Sequence, residues 1–283
     1  MMRIAFLGPD GTFSAQAAAE RRSRSDDDVL VPQATMHDAV MAVQDDLVDL
    51  AVVPIENSIE GSVNESLDTL LHQTTDVRII GESVLPVTYC LIVRPGARLS
   101  DVQVVLSHPQ ALSQCARTLR DCVPGAVLRP GPSTAEAVRE VCQSSAPWAA
   151  LGTPQAAGLY GGEILRSGLA DDPLNTTRFV TLERAGMRIT ADAGPWKSTI
   201  VFAGTGDGTA GWLVRCLSEF SSRDVNLTRI ESRPARGKLG HYVFLVDIAG
   251  QADQPGAAAD AVAALAAHCT EVRVLGAYPA AAA

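Results

Sequence analysis

The first part of the chain alternates short apolar runs with segments whose apolar residues recur three and four positions apart. Short runs of β-forming residues predict buried strands, and the longer period predicts amphipathic helices. The predicted elements are a strand, a helix, a strand, a helix and a strand over residues 3–7, 12–22, 29–33, 36–47 and 50–53. Such alternation is typical of an α/β layer built on a mainly parallel sheet.

A second layer of the same kind follows a crossing region. Residues 79–93, rich in strand formers around Pro86, predict strands that cross into another lobe. Beyond them the pattern predicts strands at 103–106, 126–129, 148–151 and 179–182, and helices starting near Pro109 and covering 133–142, 153–160 and 163–167. We therefore expect two α/β lobes around a cleft lined by strand ends and helix N-termini.

The last third of the chain predicts a different fold. The elements are a strand, a helix, two strands, a helix and a strand over residues 196–203, 209–222, 225–232, 242–248, 257–268 and 271–275. This βαββαβ order is typical of ferredoxin-like domains. The expected organisation is a two-lobed domain at 1–184, with lobe crossings near 80–90 and 170–180, a linker at 185–195 and a ferredoxin-like domain at 196–278.

Polar side chains stand where predicted strands of the two lobes end or begin. Residues 56–58 (Glu-Asn-Ser) follow the third strand, Ser107 follows a strand of the second lobe, and residues 175–178 (Asn-Thr-Thr-Arg) lead into the returning strand. Ligands of open α/β sheets bind outside the carboxyl ends of strands, so these positions predict a polar site. Taken alone, residues 175–178 are more typical of an ordinary turn.

Several polar residues near helix starts have structural explanations. Thr12 or Ser14 caps the first helix or contacts a ligand, and capping is favoured. Ser62 and Glu65 match a capping box for a helix predicted over residues 63–71. The spacing supplies no acid–base partner for His108, which is therefore expected to pack or to cap.

Composition and charge exclude several function classes. With 283 residues, 47% hydrophobic and 19% charged, and a formal net charge of −9, the chain fits a globular protein. It has no basic stripe with interleaved aromatic residues, which argues against nucleic-acid binding. No apolar run is long enough for a membrane span or a signal peptide. Six cysteines without CxxC spacing and five scattered histidines predict reduced core thiols, a cytoplasmic location and no metal site.

Four segments, taken in order, resemble the prephenate dehydratase family. They are residues 8–14, 54–63, 107–115 and 177–179, the last being the signature Thr-Arg-Phe. The resemblance covers nearly the whole chain and implies a two-lobed catalytic domain like the type II periplasmic binding proteins. Bifunctional members of the family carry a helical chorismate mutase segment ahead of the dehydratase. This chain starts at the first dehydratase strand, so a monofunctional enzyme is expected.

The C-terminal part resembles an ACT domain, the amino-acid-sensing module of this family. Residues 226–234 match its phenylalanine-binding motif, and Gly211, Trp212 and Leu213 stand where the family has Gly-Ala-Leu. A tryptophan in place of a small residue would either narrow the effector pocket or change the preferred effector. The resemblance implies that phenylalanine binds between ACT domains, in a homodimer or homotetramer.

The activity implied by the resemblance is a carbon–oxygen lyase reaction in L-phenylalanine biosynthesis. Prephenate loses water and carbon dioxide to give phenylpyruvate. Aromatisation supplies the driving force, so neither a cofactor nor a metal is expected. A donor must serve the leaving ring hydroxyl, while the ring carboxylate must be held loosely enough to depart.

The resemblance assigns three sets of residues. The catalytic set is Thr177, Glu56, Asn57 and Gln114. The substrate-binding set is Thr12, Ser14, Ser58, Ser107, Asn175, Thr176 and Arg178. The effector-binding set is Gly211, Trp212, Leu213, Asn226, Leu227, Glu231, Ser232, Arg233 and Pro234.

Some roles within these sets stay open. Thr177 is the candidate donor to the leaving hydroxyl, through a network, because threonine itself is a very poor acid. Arg178 either pairs with a substrate carboxylate or braces its loop by binding an acidic side chain. Glu56 orients the donors, accepts a proton or repels the departing carboxylate. Phe179 is expected in the core.

Three other functions compete with this interpretation. Arogenate, with an amine in place of the side-chain keto group, is a rival substrate for the same chemistry. Two α/β lobes around a cleft also describe proteins that bind a small acid without transforming it. The ACT portion is equally compatible with a protein that mainly senses amino acids.

Overall fold

The structure, a computed structural model, describes residues 1–22, 27–186, 194–204, 208–235 and 240–281. Most of the predicted linker, residues 187–193, lies outside the described residues. The chain divides into two compact units, residues 1–69 with 84–179 and residues 70–83 with 180–283. Both predicted lobes contribute to the first unit, and the predicted ferredoxin-like domain lies in the second.

The first lobe is built on a six-stranded sheet that contains both parallel and antiparallel pairs of strands. Its strands are β1 (Arg3–Leu7), β2 (Val29–Gln33), β3 (Leu50–Asn57), β4 (Gly61–Ser62), β5 (Val77–Pro86) and the late-returning β11 (Thr176–Arg184). Its helices are α1 (Phe13–Ala19), α2 (Met36–Gln44) and α3 (Asn64–His72). The order is β2-β1-β3-β11-β5, with β4 paired to β3. β1 runs parallel to both β2 and β3, and its apolar residues 4–6 are fully buried.

The third strand is longer than predicted. It continues through Pro54 to Asn57 because β4 pairs with its end, placing Glu56 opposite Ser62 and Asn57 opposite Gly61. Glu56 and Asn57 therefore lie in the last residues of a strand, not in a loop after it. The helices α1 and α2 end earlier than predicted, and α3 begins at Asn64.

The second lobe is a smaller α/β layer. Its strands are β6 (Cys90–Val93), β7 (Val104–Ser107), β8 (Val127–Pro130), β9 (Trp148–Gly152) and β10 (Glu163–Ser167), in the order β10-β6-β9-β7-β8. Its helices are α4 (Pro109–Gln114), α5 (Ala116–Cys122), α6 (Thr134–Gln143) and α7 (Pro154–Tyr160), with a 3-10 turn at Leu99–Asp101. β7 is parallel to β8 and β9, as the predicted βαβ alternation requires.

The prediction of a short helix at 163–167 is wrong. These residues form β10, which pairs antiparallel with β6 and places Glu163 opposite Val93. Five residues are too few for apolar periodicity to distinguish a helix from a strand, so pairing with the edge of β6 opposite β9 decides the conformation. Gly161, in the left-handed region at φ 70°, ends the preceding helix.

The ferredoxin-like prediction is confirmed. The elements are β12 (Trp196–Ala203), α8 (Trp212–Ser221), β13 (Leu227–Pro234), β14 (Tyr242–Ala249), α9 (Ala257–Leu265), a 3-10 turn at Ala266–His268 and β15 (Glu271–Pro279). The four strands form an antiparallel sheet in the order β13-β14-β12-β15. Phe202, Phe220, Phe244 and Val246 pack in the core beneath the helices. The three sheets thus give two lobes and an ACT-type domain.

No helix among the described residues has the length and apolar character needed to cross a membrane.

Candidate active site

The polar residues predicted at strand ends meet in the first unit. Asn57 ends β3, and Asn175 stands just before β11, which is the next strand in the sheet. Their side chains are almost wholly buried, since Asn57 is 7% exposed and Asn175 is 1% exposed. A buried amide needs hydrogen-bond partners, because leaving one without them costs roughly 1–3 kcal/mol. The partners of both amides are well defined.

The orientation of the Asn57 amide is fixed by backbone groups. The N–H groups of Ile59 and Glu60 each donate to Asn57 Oδ1 at 3.0 Å. A backbone N–H can only donate, so the opposite end of the amide must be the nitrogen. Asn57 Nδ2 then donates to Asn175 Oδ1 at 2.8 Å and to Thr177 Oγ1 at 2.9 Å. Its two hydrogens are also shared with the Thr176 carbonyl oxygen at 3.1 Å.

This orientation determines what Thr177 can do. Its oxygen accepts a hydrogen bond from Asn57, so its own proton is left for a different acceptor. Thr177 is the second residue of β11, so the strand holds its backbone in place. The preceding Thr176 N–H donates to Ser58 Oγ at 3.0 Å. A hydroxyl held in this way is a preorganised donor.

Gln114, at the end of α4, extends the amide network into the second lobe. Its Oε1 accepts from Asn175 Nδ2 at 3.0 Å and from the Tyr89 hydroxyl at 3.3 Å. Its Nε2 donates to Glu60 Oε1 at 3.2 Å. The chain of bonds therefore has one direction, from Asn57 through Asn175 and Gln114 to the Glu60 carboxylate.

Tyr89 and Glu60 were not singled out from the sequence. Tyr89 stands in the apolar segment leading into β6, where an aromatic residue is typical of a core, and it is indeed buried. Its ring makes an edge contact with Phe13 at 5.6 Å between centroids. Burial raises the pKa of Tyr89, and the neighbouring Cys115 and Glu60 charges act in the same direction. The hydroxyl consequently keeps its proton at neutral pH.

Hydrogen bonds of Asp171 hold the segment that leads to Asn175. Asp171 accepts from the backbone N–H groups of Arg117 and Thr118, both at 2.9 Å, and from the Thr118 hydroxyl at 2.8 Å. The Asp171 N–H donates to the Gln114 carbonyl oxygen at 2.8 Å. Desolvation opposes the charge of Asp171, but these hydrogen bonds outweigh it and hold its pKa below the usual range. The segment is thereby tied to the start of α5.

Arg178 pairs with an acidic side chain of the protein. Its Nη1 lies 3.5 Å from Glu56 Oε2, where the arginine side chain is 11% exposed and the glutamate side chain 39% exposed. This contact joins β11 to the end of β3. It matches the bracing alternative for Arg178.

Two predicted substrate contacts, Ser107 and Thr12, form hydrogen bonds within the protein, and so does His108. Ser107 is fully buried and donates to the Leu151 carbonyl oxygen at 2.8 Å. Thr12 caps α1 by accepting from the Ala15 N–H at 3.2 Å, and His108 accepts from the Gln110 N–H at 3.3 Å at the start of α4. The capping predictions for Thr12 and His108 are confirmed.

A cavity of about 590 Å³ opens between the two lobes of the first unit. Thr12, Ser14, His108 and Gln110 line it, and so does Tyr89, whose hydroxyl reaches Gln114. Tyr89 thus belongs both to the cavity wall and to the amide network. The predicted residues Thr12 and Ser14 are brought to the cavity, whereas Asn57, Asn175 and Thr177 lie in the network.

The cysteines are reduced core or partly buried thiols. Burial raises the pKa of Cys115, next to Gln114, to about 12. All six cysteines are free. Over the ranges that the structure describes, no three His, Cys, Asp or Glu side chains converge where they could hold a metal ion.

Trp212 lies in the core of the ACT-type domain. It is 5% exposed and packs against Phe202 and Phe244 at centroid distances of 6.1 and 5.9 Å. Its Nε1 donates to the His268 carbonyl oxygen at 2.7 Å. A Cβ at Gly204 would lie 2.7 Å from the indole, so the ring occupies space that the glycine leaves open. This placement favours a packing role for Trp212 over one in narrowing a surface pocket.

The other predicted effector residues flank α8 and line β13. Gly211 precedes α8 with φ 77°, which a side chain would strain. On β13, Glu231 Oε2 lies 3.8 Å from Arg229 Nη2, and Glu231 Oε1 lies 3.8 Å from Arg233 Nη1. Leu227 is partly buried and packs against the core, and Asn226, Ser232 and Pro234 lie at or next to the same strand.

Comparisons with known proteins agree with this architecture. A sequence model of the prephenate dehydratase family matches residues 4–187. The prephenate dehydratase of Mycobacterium tuberculosis H37Rv is 38% identical over 286 residues, covering 99% of this chain and 87% of that protein. The crystal structure of an Arthrobacter aurescens prephenate dehydratase in complex with L-Phe superimposes with a TM-score of 0.87 at 36% identity, covering 98% of this chain and 90% of that one.

A second similar structure carries a different functional name. GqqA, described as a novel type of quorum quenching acylase, superimposes with a TM-score of 0.86 at 29% identity and covers 98% of both chains. The fold alone therefore does not determine the reaction. The family match over residues 4–187 and the 38% identity across nearly the full length show that this chain belongs to the prephenate dehydratase family.

Proposed function

We propose that the protein converts prephenate to phenylpyruvate, and that Thr177 donates to the ring hydroxyl as it leaves. The observation that carries this proposal is the 2.9 Å hydrogen bond from Asn57 Nδ2 to Thr177 Oγ1. Because the threonine oxygen accepts there, its proton is available for the substrate. A positioned donor of this kind contributes about 10²–10⁴-fold to a rate.

The reaction balances with one proton and no redox partner. The ring carbon–oxygen bond breaks, and the hydroxyl leaves with one added proton as water. The bond to the ring carboxylate breaks at the same time or afterwards, and carbon dioxide leaves. The electron pair from that bond completes the aromatic ring. Prephenate dianion and one proton thus give phenylpyruvate anion, water and carbon dioxide.

The amide network is suited to the neutral, departing groups of this reaction. Asn57 directs Thr177, and Asn175 directs Gln114, whose N–H not bonded to Glu60 orients the substrate. Thr12 and Ser14, which line the cavity with Gln110, contact the polar groups of the substrate that do not react. Ser58, Ser107 and Thr176 act mainly by holding the backbone around the site. Glu56 orients the site through its pair with Arg178.

Replacement of Thr177 tests the donor assignment. We expect the Thr177→Ala variant to lose about 10²–10⁴-fold in kcat for phenylpyruvate release, because the donor is removed. Thr177→Ser keeps the hydroxyl and should retain most of the activity. Both variants should melt within a few degrees of the unmodified protein. A folded Thr177→Ala variant with unchanged turnover would rule out the assignment, and an unmodified protein that leaves prephenate intact would rule out the proposed reaction.

The Arg178–Glu56 pair distinguishes bracing from substrate binding. If Arg178 braces Glu56, the losses in kcat/KM of Arg178→Gln and Glu56→Gln should not add, because each breaks the same contact. The kcat/KM of the double variant should then lie within about twofold of the kcat/KM of the less active single variant. If Arg178 instead binds a substrate carboxylate, Arg178→Gln should raise KM for prephenate by the same factor with or without Glu56.

We also propose that L-phenylalanine regulates the enzyme through the ACT-type domain. The supports are residues 226–234, Gly211 and Leu213, which match the family's effector motif, and the similar Arthrobacter aurescens enzyme, whose structure is in complex with L-Phe. The effector would bind between ACT domains of a homodimer or homotetramer. In this proposal neither the turnover of prephenate nor the binding of the effector requires a metal or a cofactor.

A titration tests the regulatory proposal. L-phenylalanine should change the rate of prephenate turnover by about 5–150-fold, the usual range of allosteric coupling. D-phenylalanine is the matched control and should have little effect. Thr177→Ala should still bind L-phenylalanine in calorimetry, since catalysis and sensing lie in different parts of the chain. No change in rate and no heat of binding would overturn the proposal. The ratio of kcat/KM for prephenate and arogenate, measured in the same assay, decides between the two substrates.

A further inference from the structure

The amide of Gln114 is held at both ends by side chains of the first unit. Its oxygen accepts from Asn175 Nδ2 at 3.0 Å and from the Tyr89 hydroxyl at 3.3 Å. Its nitrogen donates to Glu60 Oε1 at 3.2 Å. An amide oxygen has two acceptor sites and an amide nitrogen has two hydrogens. Both acceptor sites and one hydrogen are therefore used.

The second N–H of the Gln114 amide takes part in none of these three hydrogen bonds. Among the described residues it has no protein acceptor. Tyr89, which contacts the oxygen end of the same amide, lines the cavity between the lobes. An amide N–H without a protein acceptor, on a residue hydrogen-bonded to a cavity-lining side chain, is suited to a carboxylate or carbonyl oxygen of a ligand. Its direction depends on the groups that hold the other three positions.

We propose that Tyr89 is a positioning residue, whose hydroxyl, with Glu60 at the opposite end, turns the remaining N–H of Gln114 toward the substrate. This inference rests on the proposed dehydratase activity. With Asn175 as its only partner, the Gln114 amide group could still rotate about the Cγ–Cδ bond of the side chain. The Tyr89 hydroxyl and the Glu60 carboxylate add a second contact at the oxygen and a contact at the nitrogen.

Tyr89 is placed to act through Gln114 and not by chemistry of its own. The ring is buried and its edge contact with Phe13 fixes where the hydroxyl lies. Because the pKa of the phenol is raised, the hydroxyl stays protonated and can donate to Gln114 Oε1. A phenol with a raised pKa is also a poor acid for the leaving hydroxyl, which separates its role from that of Thr177.

The contacts also join the two lobes. Glu60 follows β3 in the first lobe, whereas Gln114 and Tyr89 belong to the second. The bond from Gln114 to Glu60 therefore forms across the cleft. The Gln114 amide has these three partners only in the arrangement of lobes in which Glu60, Tyr89 and Asn175 meet it.

Replacing Tyr89 by phenylalanine tests the proposal, since it removes the hydroxyl and keeps the ring. We expect kcat for prephenate to fall by about 2- to 10-fold, the range for one neutral hydrogen bond, while KM stays within about twofold. Tyr160→Phe is the matched control, because the Tyr160 hydroxyl lies 3.4 Å from the Asp10 carbonyl oxygen and does not touch the network. It should leave both constants unchanged.

A double-mutant cycle separates positioning from a general structural effect. In a Gln114→Ala background, Tyr89→Phe should cost nothing further in kcat, because the residue through which it acts is gone. An unchanged kcat in Tyr89→Phe would overturn the proposal. So would a loss in the Gln114→Ala background equal to the loss in the unmodified protein.

A second measurement does not depend on turnover. The side-chain amide resonances of Gln114, assigned by their absence in Gln114→Ala, should shift or broaden in Tyr89→Phe and stay in place in Tyr160→Phe. Unmoved Gln114 resonances in Tyr89→Phe would overturn the positioning role. If the unmodified protein does not release phenylpyruvate, the proposed activity fails, and these resonances still decide whether Tyr89 holds the Gln114 amide.

Discussion

Two backbone N–H groups, those of Ile59 and Glu60, set the direction of every amide in the proposed site. Both donate to Asn57 Oδ1, so the Asn57 amide has one possible orientation. Asn57 Nδ2 then fixes the Asn175 amide, and Asn175 Nδ2 in turn fixes the oxygen end of Gln114. Reversing any one amide would place two donors or two acceptors face to face. Buried polar groups left without partners cost roughly 1–3 kcal/mol each, so the network has a single stable arrangement.

The fold positions these two N–H groups through a short hairpin at the end of β3. The strand runs past Pro54 because β4 pairs with its last two residues, and the chain must turn back between Asn57 and Gly61. Gly61 has φ 81°, a conformation that glycine adopts without strain. Asn57 caps the turn with its own side chain, a common use of asparagine. The same residue therefore closes the turn and directs Thr177.

Much of this architecture follows from the sequence. The order of strands and helices is encoded in apolar periodicity, and the polar segments at strand ends identify Asn57, Asn175 and Thr177. The partners of Gln114 are not encoded locally. Glu60 is 54 positions away along the chain, and Tyr89 stands in an apolar segment where nothing distinguishes a hydrogen-bonding tyrosine from a packing one. Likewise, the place of Trp212 depends on the missing side chain of Gly204, a contact that only the folded sheet creates.

The central claim is that Asn57, by donating to Thr177, leaves the Thr177 proton for the substrate. The most direct test is kcat for prephenate in the Asn57→Asp variant, which keeps the shape of the side chain but replaces both N–H groups by an oxygen. Thr177 would then donate to the carboxylate in place of the substrate. We predict a loss of about 10²–10⁴-fold in kcat, the size expected for removal of the positioned donor itself. A folded Asn57→Asp variant with a kcat near that of the unmodified protein would contradict the account.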